Sequence, residues 1–361
     1  MTRRSPLPEI VPFRDPDTPR IGEGPRVLLV ADERDLDVRA HLRTTAPELA
    51  AAGYRLSFVA ASQGSLTSAV GERLRSRSYA LVHVHGPWLA PAACLAGLLS
   101  PAPPLLVSLR EPPRASGVQR WLLGRALARA AAIVTACDDD RAAVLRLFPN
   151  LRRHRGKIVT LADGVEAPLT PGPSPTQGRG EDEARVIGCV VGDDRGREVL
   201  FEALARLVRF GSVEPFRVEA FAPEVEHYAL RKLVAARGLS DVVSVRPPAS
   251  AAASSADLFV ALCRADAQAA MQALCAGVPL VAAGCPGLRE VLDGSPARVC
   301  VPNVVASLEA ALREELSQPR AEEARRYAPA ARERFDARRA AARLVELYDR
   351  LTAAAEGAMA A

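Results

Sequence analysis

The hydrophobic pattern of this chain changes period again and again, and the change is clearest over residues 258–290 (LFVALCRADAQAAMQALCAGVPLVAAGCPGLRE). Two apolar runs, 258–262 and 279–283, have the length of strands. Residues 267–276 between them are rich in Ala and Leu, strong helix formers, and Gly277 stands where a C-capping glycine belongs. Strand, helix and strand in this order form a βαβ unit. Such a unit implies a parallel sheet with its ligand edge at the strand C-termini. The polar residues at those ends are Arg264, Asp266, Gln268 and Gln272, with Gly284, Gly287 and Glu290 just beyond.

The same alternation predicts strands at 26–31, 54–60, 80–85, 103–109, 132–136 and 157–161 in the first half of the chain. Helices are predicted at 35–52, 121–131 and 138–148, with a helix end at 71–77. In the second half, strands at 185–191, 216–221 and 242–245 and helices at 197–210 and 225–237 precede the unit already described. Helices at 305–316 and 321–355 follow it. Two segments break the pattern. Residues 1–24 are rich in Pro, Arg and Asp and read as a loose tail. Residues 167–183 hold four Pro and three Gly and read as a flexible linker.

The predicted organisation is therefore a tail over 1–24, an α/β domain over 25–166 and a linker over 167–184. A second α/β domain follows over 185–320, and a closing helix over 321–361 packs back towards the first domain. Both domains are doubly wound. Two such domains on a linker put a cleft between them, a favoured place for ligands.

Composition narrows this picture. The 361 residues suffice for two domains, and 49% are hydrophobic, as a packed core requires. Neither end has a signal-peptide pattern, and no apolar run reaches the roughly 18 residues of a spanning helix, which predicts a soluble, cytoplasmic protein. Seven Cys are scattered with no CxxC pair; they read as small buried hydrophobes in a reducing compartment, and zinc is not expected. The net charge is +5, and Lys occurs only at Lys157 and Lys232, so nearly all the basic residues are Arg. Arg grips phosphate bidentately, although coding bias in an Ala-, Gly- and Pro-rich chain would enrich it equally. Acidic residues are interspersed and no aromatic-basic stripe exists, so nucleic acid is not expected as a partner. Residues 141–155 hold five Arg and one His. They read either as a solvated helix face with a loop or as a basic surface for anionic lipid at the inner face of a membrane.

In order along the chain, these pieces resemble the GT-B-fold, nucleotide-sugar-dependent glycosyltransferases of family 4. ALVHVHGPW at 80–88 is similar to the family's N-domain strand with its His, and Asp163-Gly164 to its Asn-Gly turn. Residues 192–200 lie where the family has its Gly-Arg and Lys-Gly pair. QALCAGVPL with GCPGLREV resembles its C-domain signature, and 334–351 its terminal helix. The likeness runs from about Arg26 to Leu351. It implies an α/β protein of two Rossmann-like domains facing a cleft. The C-domain would hold a nucleotide-diphosphate sugar and the N-domain an acceptor, whether glycan, lipid or small molecule. Transfer would retain anomeric configuration and need neither metal nor cofactor. The resemblance puts donor-binding roles on Arg195, Gly196, Arg197, Arg264, Gln268, Gln272, Gly287 and Glu290, and catalytic roles on His85, Arg110 and Asp266.

Each of these positions has a plainer alternative. His83 and His85 share a strand face and can be satisfied core histidines. Arg195 and Arg197, behind Asp193 and Asp194, can be an ordinary charged first turn, and Gly284 to Glu290 a tight turn. Arg264 and Asp266 can form a local ion pair. The chain also departs from the family. Two family Glu flank the C-domain helix with seven residues between them; here those places hold Arg264 and Gln272, with Asp266 the nearest carboxylate. Gln accepts through one oxygen where a carboxylate takes both ribose hydroxyls, a loss of about 1–2 kcal/mol. The family's phosphate-binding Arg corresponds to Asp193, its Lys to Arg195 and its N-domain His to Arg110. No Gly-rich turn follows Val30, where the chain reads ADERDLD. A second reading therefore stands beside the transferase: a non-catalytic GT-B scaffold acting as a binding or assembly protein.

Overall fold

The strands at 26–31 and 81–85 carry apolar residues on both faces, which is stable only where helices cover both sides of a parallel sheet. The computed structural model describes residues 24–32, 36–61, 66–76, 78–97, 103–110, 113, 116–165, 184–191, 194–210, 214–247, 253 and 255–360. Apart from Gly24 and Ala184, the tail and the linker lie outside them. Two compact units emerge, one running up to Ala162 and resuming at Ala340, the other from Asp163 to Arg339.

In the first unit the strands are β1 (Arg26–Ala31), β2 (Arg55–Ala60), β3 (Leu81–His85), β4 (Leu105–Leu109), β5 (Ala132–Thr135) and β6 (Ile158–Thr160). They form one parallel sheet in the order β2-β1-β3-β4-β5-β6. The helices are α1 (Leu36–Ala51), α2 (Leu66–Ser76), α3 (Ala90–Gly97), α4 (Gly117–Arg129) and α5 (Asp138–Leu147), with a 3-10 stretch at Pro149–Lys157. β1 divides its side chains between two apolar layers: Leu28 and Val30 enter one, Val27, Leu29 and Ala31 the other. Leu344, Leu347 and Tyr348, near the end of the chain, complete the second layer.

The second unit comprises β7 (Arg185–Val190), α6 (Asp194–Phe210), β8 (Phe216–Phe221), α7 (Glu224–Ala236), β9 (Val243–Arg246) and β10 (Leu258–Ala261). It continues with α8 (Ala267–Ala276), β11 (Leu280–Ala283), α9 (Leu288–Leu292), β12 (Arg298–Cys300), α10 (Val305–Ser317) and α11 (Ala321–Arg334); α12 (Ala337–Ala360) closes the chain and from Ala340 belongs to the first unit. The sheet is again parallel, in the order β12-β11-β10-β7-β8-β9. β10, α8 and β11 form the expected βαβ unit, with Phe259 opposite Leu280, and Gly277 caps α8 in the left-handed conformation (φ 75°, ψ 27°).

Three elements differ from expectation. α3 has no counterpart among the predicted helices, because its Ala-rich run has no polar face to set a period. The single helix expected over 321–355 is two helices. Phe335 turns into the second unit's core and its carbonyl accepts from the Val165 N–H at 2.9 Å, while the Asp336 carboxylate accepts from the N–H of Arg338 at 2.9 Å. Those bonds end α11 and begin α12. β12 goes unread because it is three residues long and contains Arg298.

Arg298 is buried, as is its partner Glu315. Its guanidinium also reaches Glu314 and donates to the Gln318 carbonyl at 3.0 Å, while the second Glu315 oxygen accepts from the Arg320 N–H at 2.6 Å. The network ties the edge strand to the end of α10. Removing one partner strands a buried charge, so Arg298→Ala should destabilise the protein by about 3–5 kcal/mol in urea unfolding. A loss below about 1 kcal/mol would mean that the network is not a structural tie.

Candidate functional site

In the second sheet the chain winds outwards from β7 to β9 on one side and from β10 to β12 on the other, so the order reverses between β7 and β10. Ligands of open α/β sheets bind beyond the strand C-termini at such a reversal. A cavity of about 10 Å³, room for one water, lies there. Cys189 and Val190 of β7, Gly196 and Arg197 of α6, and Leu262, Cys263 and Asp266 line it. The structure thus brings Gly196, Arg197 and Asp266 together.

Asp266 is buried, and its Oδ2 accepts from the backbone N–H groups of Leu262 at 2.7 Å and Cys263 at 3.0 Å. That carboxylate shapes the turn leaving β10. Burial first, and then its negative charge, push the thiols of Cys189 and Cys263 far up, so both stay protonated. Arg197 pairs with Glu226 at the start of α7, at 3.3 Å. Asp193 and the side chain of Arg195 lie outside the described residues.

Arg264 and Gly287 are the second group brought together. Gly287 has φ +85°, and a Cβ there would come within 2.8 Å of the Arg264 Cγ, so the arginine stem lies against bare backbone. Glu290, on α9, accepts a hydrogen bond from Arg334 through its backbone carbonyl. Gln268 and Gln272, one turn apart on α8, are half-buried and outside the lining of the cavity.

The first sheet reverses between β1 and β3, where His85 stands opposite Ala31 and Ser108. His83 is satisfied at both nitrogens, with Tyr348 Oη 2.6 Å from Nδ1 and Ser108 Oγ 2.7 Å from Nε2. Burial, then His41, drive its pKa from 6.5 down to about 3. His85 stacks on it with ring centroids 3.9 Å apart, and His41 lies 5.5 Å from His85. His85 is 2% exposed, and neither of its ring nitrogens has a protein hydrogen-bond partner. Burial, followed by His83, His41 and Arg110, holds its pKa well below the usual range. Arg110 therefore stands within electrostatic reach of His85, and these two candidates are the third group brought together. Among the described residues no cluster of three or more His, Cys, Asp or Glu could hold a metal ion.

No protein-family model and no curated protein matches the sequence. Solved structures do. A glycosyltransferase from Rickettsia africae ESF-5 matches with a TM-score of 0.69 at 14% identity, over 91% of this chain and 99% of its own. Anabaena HepE, solved in complex with UDP and glucose, matches with a TM-score of 0.72 at 15% identity, over 90% of this chain and 100% of its own. The fold is GT-B. An α,α-trehalose 6-phosphate synthase from Burkholderia multivorans shares it, with a TM-score of 0.66 at 14% identity over 93% of this chain and 98% of that one. In this GT-B chain, Cys189, Cys263, Glu226, His41 and Tyr348 are site neighbours that the sequence did not single out. Glu226 is 29 residues from Arg197 and Tyr348 is 265 from His83, so no local spacing links them.

Unfolded, the rings of His83 and His85 both protonate near pH 6.5, whereas folded His83 stays neutral to about pH 3. Above pH 6.5 neither state takes a proton there; below it the unfolded state binds more, so stability falls as the pH drops, by about 1.4 kcal/mol per pH unit for each ring. His85→Phe should keep the stack, lessen this fall and raise stability near neutral pH by about 1–3 kcal/mol, because it removes orphaned polar atoms. Urea unfolding at several pH values measures it; an unchanged slope would show that His85 is charged when folded. Gly287→Ala should cost about 1–3 kcal/mol in the same assay, by forcing both φ and the Arg264 stem.

Proposed function

We propose that this protein is a glycosyltransferase that moves a sugar from a nucleotide-diphosphate donor to an acceptor, retaining anomeric configuration and using no metal ion. The observation that carries the proposal is the reversal point of the second sheet, where β7 and β10 end beneath the first turn of α6. Backbone N–H groups and the helix dipole favour an anion there, and Arg195 and Arg197 are the cations that would neutralise a leaving pyrophosphate. The HepE complex with UDP and glucose supports a nucleotide sugar as the ligand. Gln272 would meet the ribose, while Arg264, Gln268, Gly287 and Glu290 would frame the donor sugar. In the first unit, the unpartnered nitrogens of His85, with Arg110, would meet hydroxyl groups of the sugar or acceptor. Asp266 would act by holding the turn after β10.

One observation favours the scaffold reading. Arg197 and Asp266, the two charged side chains of the cavity, both bind groups of the protein itself. Calorimetric titration of UDP- and GDP-sugars separates the readings. The transferase should release heat with one of them, and Gln272→Glu should bind it roughly tenfold tighter through the second ribose hydroxyl. Silence from both donors at roughly 1 mM, in the wild type and in Gln272→Glu alike, would sink the transferase and leave the scaffold.

A further inference from the structure

α4 begins with three large apolar side chains in water: Val118 is 72% exposed, Trp121 61% and Leu122 40%. They are three and four residues apart, so they share one face. Arg125 continues that face one turn on, its guanidinium 5.6 Å from the Trp121 ring centre. The opposite face is ordinary core, with Leu123, Ala126 and Leu127 buried. α4 thus presents apolar surface on two sides, and among the described residues only one of them is used by the fold.

The neighbouring 3-10 stretch adds charge. Arg120 donates to the Leu147 carbonyl at 2.9 Å, Asn150 to Gly124 at 3.4 Å and Lys157 to Ala130 at 3.2 Å. These bonds lay residues 147–157 alongside α4 in the same direction. Arg152, Arg153 and Arg155 are exposed there, and among the described residues none of them is in a salt bridge. Neither α4 nor residues 147–157 contain an acidic residue; Asp138, Asp139 and Asp140 stand between them in sequence, at the start of α5.

We propose that this face of the first unit docks on an anionic lipid surface, with Val118, Trp121 and Leu122 entering the interface and the arginines meeting lipid phosphates. The two components are what a peripheral surface needs: an amphipathic aromatic ring at headgroup level beside clustered cations. A second copy of the chain is a poor occupant, because a two-fold contact would set these exposed arginines against themselves. The proposal does not depend on the transferase reading, and its test needs no donor or acceptor.

The test uses the full chain with vesicles of phosphatidylcholine, alone or mixed with phosphatidylglycerol. The chain has two Trp, so Trp88→Phe leaves Trp121 as the sole indole emitter. The protein should sediment with the anionic vesicles only, Trp121 emission should shift to the blue, and salt should reverse both. Trp121→Ser with Leu122→Ser should weaken partitioning at least roughly tenfold. Arg152→Gln, Arg153→Gln and Arg155→Gln should each weaken it about fivefold. Circular dichroism should be unchanged in these surface variants. Equal binding to neutral vesicles, no binding at all, or full binding by the Trp121→Ser, Leu122→Ser variant overturns the proposal. So does self-association in solution that the same variant abolishes, which would assign the face to a second copy.

Discussion

A parallel sheet covered on both faces leaves its strands no wet side, and that constraint organises both halves of this molecule. β1, β3, β10 and β11 are buried almost end to end. Polar chemistry can then gather only where strands stop, and the winding direction concentrates it where two neighbouring strands send their connections apart. Both sheets have one such place, between β1 and β3 and between β7 and β10. The candidate residues that come together do so at these two places, or in the turn that packs against the second: His85 with Arg110, Gly196 with Arg197 and Asp266, and Arg264 against Gly287.

The histidines of β3 show what the same constraint costs. Two imidazoles in a covered strand lose their water. His83 recovers hydrogen bonds from Tyr348 and Ser108, one from the closing helix and one from the next strand. His85 recovers none from the protein and is held by stacking on His83. A desolvated ring with both nitrogens unmatched is a local loss of stability. Because His83 anchors the stack, α12 takes part in fixing a ring more than 260 residues earlier in the chain.

What could be read from the sequence follows from what is local. The βαβ unit at β10, α8 and β11 was legible because apolar run, Ala-rich helix and Gly277 are signals within a few residues of one another. The placing of His83 and His85 on one face needed only the period of a strand. β12 was hidden because an Arg in a three-residue strand makes sense only beside Glu315, on a helix not yet folded against it. The break at Phe335 depends on Val165, 170 residues upstream. The exposed side of α4 escaped because an apolar residue in a helical pattern reads as core whichever way it points. The sequence places Asp266 at the strand mouth, whereas its bonds to Leu262 and Cys263 depend on a turn conformation that no residue pattern states.

The Arg197–Glu226 pair bears on whether the second site can take an anion. The two groups are 3.3 Å apart, with side chains 18% and 31% exposed. A pair this open to water contributes on the order of 0–1 kcal/mol, since both charges stay partly solvated. A pyrophosphate reaching the same guanidinium offers more negative charge and a bidentate geometry, and charge-assisted bonds of that kind are roughly twice as strong as neutral ones. It would also meet the N-terminal amides of α6, which Glu226, on another helix, does not replace. Under the proposed function, Glu226 would therefore compete only weakly with a phosphate for Arg197. The ion pair at the reversal point holds the arginine beside the first turn of α6.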